Sequence, residues 1–194
     1  MRVYRIPFST NVERVALALA HKRLSVEWVD VPADDRTEVV RVSGQELVPV
    51  LEEHGRVVAD SEAILRYLEE RHPQPPLWPR EPARRAEADI FVDWFNRVWK
   101  RPPNMIAAGG DPAEYGPRIA AALDLFESLL DGRLHLLGAF GVADVTAFPF
   151  LKYAVDDNAE DDEPFHQILR EWQPIAGRPR VEAWIERMDD RARA

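Results

Sequence analysis

Hydrophobic and polar positions follow two regimes along the 194 residues. Up to residue 72, short runs of two-residue period alternate with stretches of helical period. RVYRI (2–6) and VEWVDV (26–31) predict strands, and between them Val12, Val15, Ala16, Leu19 and Ala20 line one face of a helix over 11–23. Thr10 and Glu13 make a T-x-x-E capping box at its start. A right-handed crossover through that helix makes the two strands parallel. After a polar, weakly helical stretch at 34–42, VPVLEE (48–53) and RVVA (56–59) flank His54 and Gly55 as a hairpin. DSEAILRYLEERH (60–72) then predicts an amphipathic helix with Ile64, Leu65 and Leu68 inward.

The segment HPQPPLWPREP (72–82) holds five prolines in eleven residues, a density no helix or central strand survives, so it reads as an extended connector. Beyond it the pattern is helical throughout: 83–101 with Ile90, Phe91, Trp94, Phe95, Val98 and Trp99, then 112–131, 142–155 and 178–191. The expected architecture is an α/β thioredoxin-like N-terminal domain (1–73), a proline-rich linker (74–82) and an all-α helical bundle as C-terminal domain (83–194).

Composition narrows the chemistry. With no cysteine, disulfides, thiolate metal sites and a cysteine nucleophile are excluded, so any thiol must be borrowed. Phosphate cradles of the GxGxxG or GxxxxGK[ST] kind are absent. The net charge of −9 falls mostly after residue 80 and much of it in DDNAEDDE (156–163), which reads as a solvated loop. Without a basic stripe or a long apolar run, neither nucleic acid nor a membrane is an expected partner, and without a leader pattern a cytoplasmic residence is expected. The five histidines are scattered with no ligand spacing, so no metal is expected.

Three places carry candidate chemistry, each with a plainer alternative. Pro49 interrupts a strand pattern, which requires an edge, a bulge or a cis bond; a cis bond turns the Val48 backbone outward to pair with a peptide-like ligand. Asp60 and Ser61 open a helix and read as caps, or as a seat for the zwitterionic end of an amino acid on the helix N-terminus. Ser9 reads as a turn or cap residue, or as a hydroxyl that donates to a bound thiolate while the helix end lowers the thiol pKa. Trp94, Trp99 and Trp184 read as core, and the first bundle helix also offers walls for an apolar pocket.

Taken together, STNVERVALAL, LVPVL followed by VVADSEAILRYLEERHP, the proline hinge, GVADVTAFPFL and RPRVEAWIERM resemble the cytosolic glutathione S-transferases over nearly the whole chain. The STNV string is similar to the serine-type, phi-like members. The resemblance implies a cytoplasmic homodimer with glutathione as cosubstrate and a small hydrophobic electrophile as partner. It implies Ser9 as the thiolate-activating hydroxyl with Thr10 and Asn11 as fallbacks, a cis Pro49, and Val48, Asp60, Ser61 and Gln45 as glutathione contacts. Arg36, Arg41 or Gln45 would hold the glycine carboxylate, and Phe8, Trp94 and Trp99 would line the second-substrate pocket. Two departures stand out: Gly141 replaces the usual Ser or Thr ahead of Asp144, and Asp60 replaces the more frequent glutamate. A non-catalytic binding or dimerisation module and a glutathione-dependent isomerase or dehalogenase are the alternatives.

Overall fold

In the computed structural model, which describes residues 1–156, 158 and 161–194, β1 (Arg2–Arg5), β2 (Glu27–Asp30), β3 (Val50–Glu53) and β4 (Arg56–Ala59) form one mixed sheet in the order β2-β1-β3-β4. β1 pairs parallel with β2, as the crossover requires, and antiparallel with β3; Val3 stands opposite Trp28 on one side and Leu51 on the other. β3 and β4 form the expected hairpin, with His54 (φ 49) and Gly55 (φ 77) both left-handed at its turn.

Helix α1 (Thr10–His21) starts one residue earlier than the capping box suggests: Ser9 is the cap, and Thr10 is the buried first helical residue. The helix is buried nearly all round, since Arg14 through Leu19 are all inside. After α2 (Thr37–Ser43) and the hairpin, α3 (Ser61–Arg71) packs against α1. Lys22, just past α1, is buried and its Nζ donates to Glu69 at 2.7 Å, to the His72 carbonyl at 2.6 Å and to the Pro75 carbonyl at 3.1 Å. One cation thus closes the C-terminal end of α3 and moors the proline segment that follows it.

The compact units divide within that proline segment, Met1–Leu77 on one side and Trp78–Asp190 on the other, and Arg191–Ala194 belong to the first. There the Ala194 amide donates to the Ala16 carbonyl at 3.2 Å, Trp28 Nε1 donates to the Ala194 carbonyl at 3.1 Å, and Arg193 pairs with Glu13 at 2.9 Å.

The second unit is helical. The apolar pattern over 83–101 resolves into α4 (Pro82–Trp94), a π-helical turn (Phe95–Trp99) and α5 (Arg101–Ala107). Pro102 and Pro103 lack N–H groups, and the structure places them in the first turn of a new helix, where none is needed. α6 (Pro112–Leu129) follows, then α7 (Val142–Leu151) with its 3₁₀ turn (Lys152–Ala154), α8 (Pro164–Trp172) and α9 (Pro179–Asp189). α7 is buried along its whole length. Gly141 supplies no side-chain cap, but Asp144 accepts the Gly141 amide at 3.0 Å, the Leu136 amide at 3.1 Å and Trp184 Nε1 at 2.8 Å. Gly116 of α6 is required by close approach: a Cβ there would lie 2.0 Å from Trp172 Cε3 of α8.

The acidic run is more than a solvated loop. Asp161 Oδ2 accepts Arg170 Nη2 at 2.7 Å and lies 2.8 Å from His166 Nδ1, and Asp156 pairs with the same guanidinium at 3.0 Å. Asp157, Ala159 and Glu160 lie outside the described residues. No described helix is long and apolar enough to cross a membrane.

Candidate functional site

The sheet-bearing unit brings two helix N-termini together. Asn11, second residue of α1, accepts a hydrogen bond at 3.4 Å from the hydroxyl of Ser61, first residue of α3, and that hydroxyl accepts one at 3.4 Å from Arg14 Nη1. Arg14 is 2% exposed. Burial pushes its guanidinium down to about 9, and the charges of Asp60 and Glu62 oppose that shift. Each helix N-terminus carries a partial positive charge, to which the buried guanidinium adds its own.

Ser9 caps α1 by accepting the Val12 amide at 3.4 Å, which leaves its hydroxyl hydrogen available to donate outward. Phe8 beside it has φ 67 and is 77% exposed. Asp60 caps α3 and holds φ 78, a region that costs a non-glycine residue about 1–3 kcal/mol. Both cap bonds, from the Glu62 amide at 2.8 Å and the Ala63 amide at 3.2 Å, fall on Oδ1. Oδ2 accepts neither of them. The Ser61 hydroxyl is engaged within the protein, so its backbone N–H is the group a ligand could meet.

The Val48–Pro49 bond is cis, and β3 begins only at Val50. The Val48 side chain packs on the buried cluster of Tyr4, Val31, Val39 and Val50. No backbone hydrogen bond joins Val48 to another described residue. With its side chain anchored inward, this residue offers its backbone polar groups. Gln45 is bonded within its own loop: its Nε2 donates to Ser43 Oγ at 3.0 Å and to the Leu47 carbonyl at 2.8 Å, and its Oε1 accepts the Leu47 amide. It staples the loop ahead of Val48. Arg41 pairs with Glu38 at 3.8 Å on the surface, whereas Arg36 Nη1 is buried with no hydrogen-bond partner.

In the helical unit, Trp94, Val98, Trp99 and Pro102 with Ala121 and Ala122 line a cavity of about 440 Å³, with Arg97, Arg101 and Arg118 also on its wall. Trp99 is 3% exposed and stacks on Phe95 at 4.4 Å, so it is core and cavity wall at once. Trp184 lies fully in the core. Phe8 belongs to the other unit.

Residues 3–76 match the family model for the glutathione S-transferase N-terminal domain, and residues 113–187 match that for the glutathione S-transferase C-terminal domain. The chain belongs to the glutathione S-transferase family. It is 29% identical over 191 residues to glutathione S-transferase GstB of Escherichia coli, covering 89% of this chain and 91% of that protein. It is also 29% identical over 154 residues to a probable maleylacetoacetate isomerase of Caenorhabditis elegans, covering 75% and 65%. Among solved structures, a glutathione S-transferase from Rhodospirillum rubrum superposes with TM-score 0.76 at 27% identity, covering 98% of this chain and 88% of that one.

For this transferase-family chain, sequence reasoning missed Arg14. The run VALALA (15–20) holds the signal for it: its apolar residues are continuous rather than one-sided, so the helix had to be buried on several faces, Arg14 included.

Proposed function

We propose that this transferase binds glutathione in its sheet-bearing unit and adds the sulfur to an electrophile. The observation that carries the reading is the Asn11–Ser61–Arg14 junction, which sets the N-termini of α1 and α3 side by side in front of a buried cation. In this reading the Val48 backbone pairs with the cysteinyl backbone of the tripeptide. Asp60 Oδ2 accepts from the γ-glutamyl ammonium, and the amide of Ser61 meets the γ-glutamyl carboxylate. Arg36 holds the glycine carboxylate. Ser9 donates its hydroxyl hydrogen to the sulfur, the α1 N-terminus adds its field, and the thiol proton leaves to solvent. A drop of two pKa units in the bound thiol corresponds to about 2.7 kcal/mol favouring the thiolate. The thiolate then attacks the electrophile, forming a carbon–sulfur bond as the leaving group, chloride for an aryl chloride, departs. The reading includes a cytoplasmic homodimer, checked by sedimentation equilibrium.

The test is turnover of an activated aryl chloride with glutathione in wild type, Ser9→Ala and Ser9→Gly. The glycine variant matters because it removes the hydroxyl while costing only a few tenths of a kcal/mol of cap stability. Both variants are expected to lose about 100-fold in kcat/KM, with the alkaline shift in the pH profile that a less acidic bound thiol produces. Wild type that neither binds immobilised glutathione nor turns over the chloride would sink the proposal. A glutathione-dependent isomerase is the second reading, supported by the likeness to the probable maleylacetoacetate isomerase. There the sulfur adds to a double bond and leaves again, so glutathione is not consumed.

A further inference from the structure

The last residues of the first unit reach back to the helix that Ser9 caps. Glu13 is the acidic residue in the first turn of α1, and its amide donates to the Ser9 carbonyl at 3.0 Å, so it stands one turn below Ser9. Its carboxylate pairs with Arg193 at 2.9 Å, and the two side chains are only 14% and 29% exposed. Arg193 is not a loose surface cation. Its Nη1 donates to the Arg191 carbonyl at 3.0 Å, and the neighbouring Ala194 is bonded through its amide to the Ala16 carbonyl and through its carbonyl to Trp28 Nε1. With the backbone around it bonded on both sides, the pair costs less conformational entropy to hold than an ordinary exposed ion pair.

Helix stability alone gives no reason for the cation. A carboxylate in the first turn already interacts favourably with the positive end of a helix. The same charge opposes any second anion brought to that end. We infer that Arg193 is a positioning residue for thiol chemistry at Ser9: paired with Glu13, it offsets the acidic charge of the first turn, so that the field of the α1 N-terminus stays available to the bound sulfur. This rests on the conjugation reading, which places the sulfur at Ser9, and it adds a charge-tuning group supplied from the far end of the sequence.

The test is titration of bound glutathione, followed by the ultraviolet absorbance of its thiolate, in wild type, Arg193→Gln, Glu13→Gln and the double variant. Charges about 10 Å apart near a protein surface couple by about half a pH unit. Arg193→Gln is expected to raise the midpoint by about that much and Glu13→Gln to lower it by about as much, while the double variant returns close to wild type. Arg193→Lys, which keeps the charge, should titrate as wild type, and both single shifts should shrink as salt is raised. Arg14, Asp60 and Glu62, the other charges around the two helix ends, are the same in every variant. Equal midpoints throughout, or two single variants that shift in the same direction as a merely loosened tail would make them, overturn the inference and leave the conjugation reading standing. Wild type in which glutathione keeps its free-solution midpoint overturns that reading and this inference with it.

Discussion

The two units handle positive charge in opposite ways. In the sheet-bearing unit two cations are inside, Arg14 at the candidate site and Lys22 at the opposite end of α1, and the groups left for a ligand are caps and backbone, at Ser9, Val48, Asp60 and Ser61. In the helical unit Arg97 and Arg101 are exposed on a wall of aromatic side chains. The first site is made by the fold and held by buried charge; the second is made by side chains alone. A substitution in the first therefore disturbs structure and binding together, while one in the second changes what is bound and leaves the fold standing.

The strongest way to break this contrast is Lys22→Ala. It strips a buried ion pair and takes one donor from Glu69 and from the His72 and Pro75 carbonyls, and the expected loss is about 3–5 kcal/mol, read by denaturant unfolding. A loss below 1 kcal/mol would show that buried charge does not hold the first unit. Next comes Gly116→Ala, which tests whether the helical unit has rigid points of its own. The added methyl meets Trp172, and the expected cost is about 2 kcal/mol with a change in tryptophan emission.

Asp60 separates cap, strain and binding. Asp60→Ala keeps the positive φ and loses the cap, for an expected loss of about 1 kcal/mol. Asp60→Gly relieves the backbone and should be nearly neutral in stability, yet both variants should bind glutathione more weakly. The smallest effect is acid sensitivity at α8. Burial pushes the Asp161 carboxyl up, but the hydrogen bonds from Arg170 and His166 outweigh it and hold the group below its usual value. A carboxyl lowered in the folded state contributes stability above its ordinary pKa and loses it as the pH falls through the folded value. Wild type should therefore lose more stability than Asp161→Asn below about pH 4, followed by thermal unfolding across that range.

Much of the fold was legible because short strands and amphipathic helices announce their period, as RVYRI and DSEAILRYLEERH do. α8 was passed over although Phe165, Ile168, Leu169 and Trp172 keep helical spacing, because the acidic run before it reads as loop. α5 was hidden by Pro102 and Pro103, which look like a stop but serve as a start. At the site, helix caps are local chemistry, so Ser9 and Asp60 could be singled out from neighbouring residues. Arg14 could not, since its role depends on a helix that begins 47 residues further on.

The short tail described with the first unit has its own consequence. Because Arg191–Ala194 are bonded to Glu13, Ala16 and Trp28, the chain passes between the units twice, once at Leu77–Trp78 and again at Asp190–Arg191. In topological terms the helical unit is an insertion in the first. A protease cut in the proline segment would leave the downstream fragment still gripping the upstream one through its last residues, which makes the chain a natural candidate for fragment complementation.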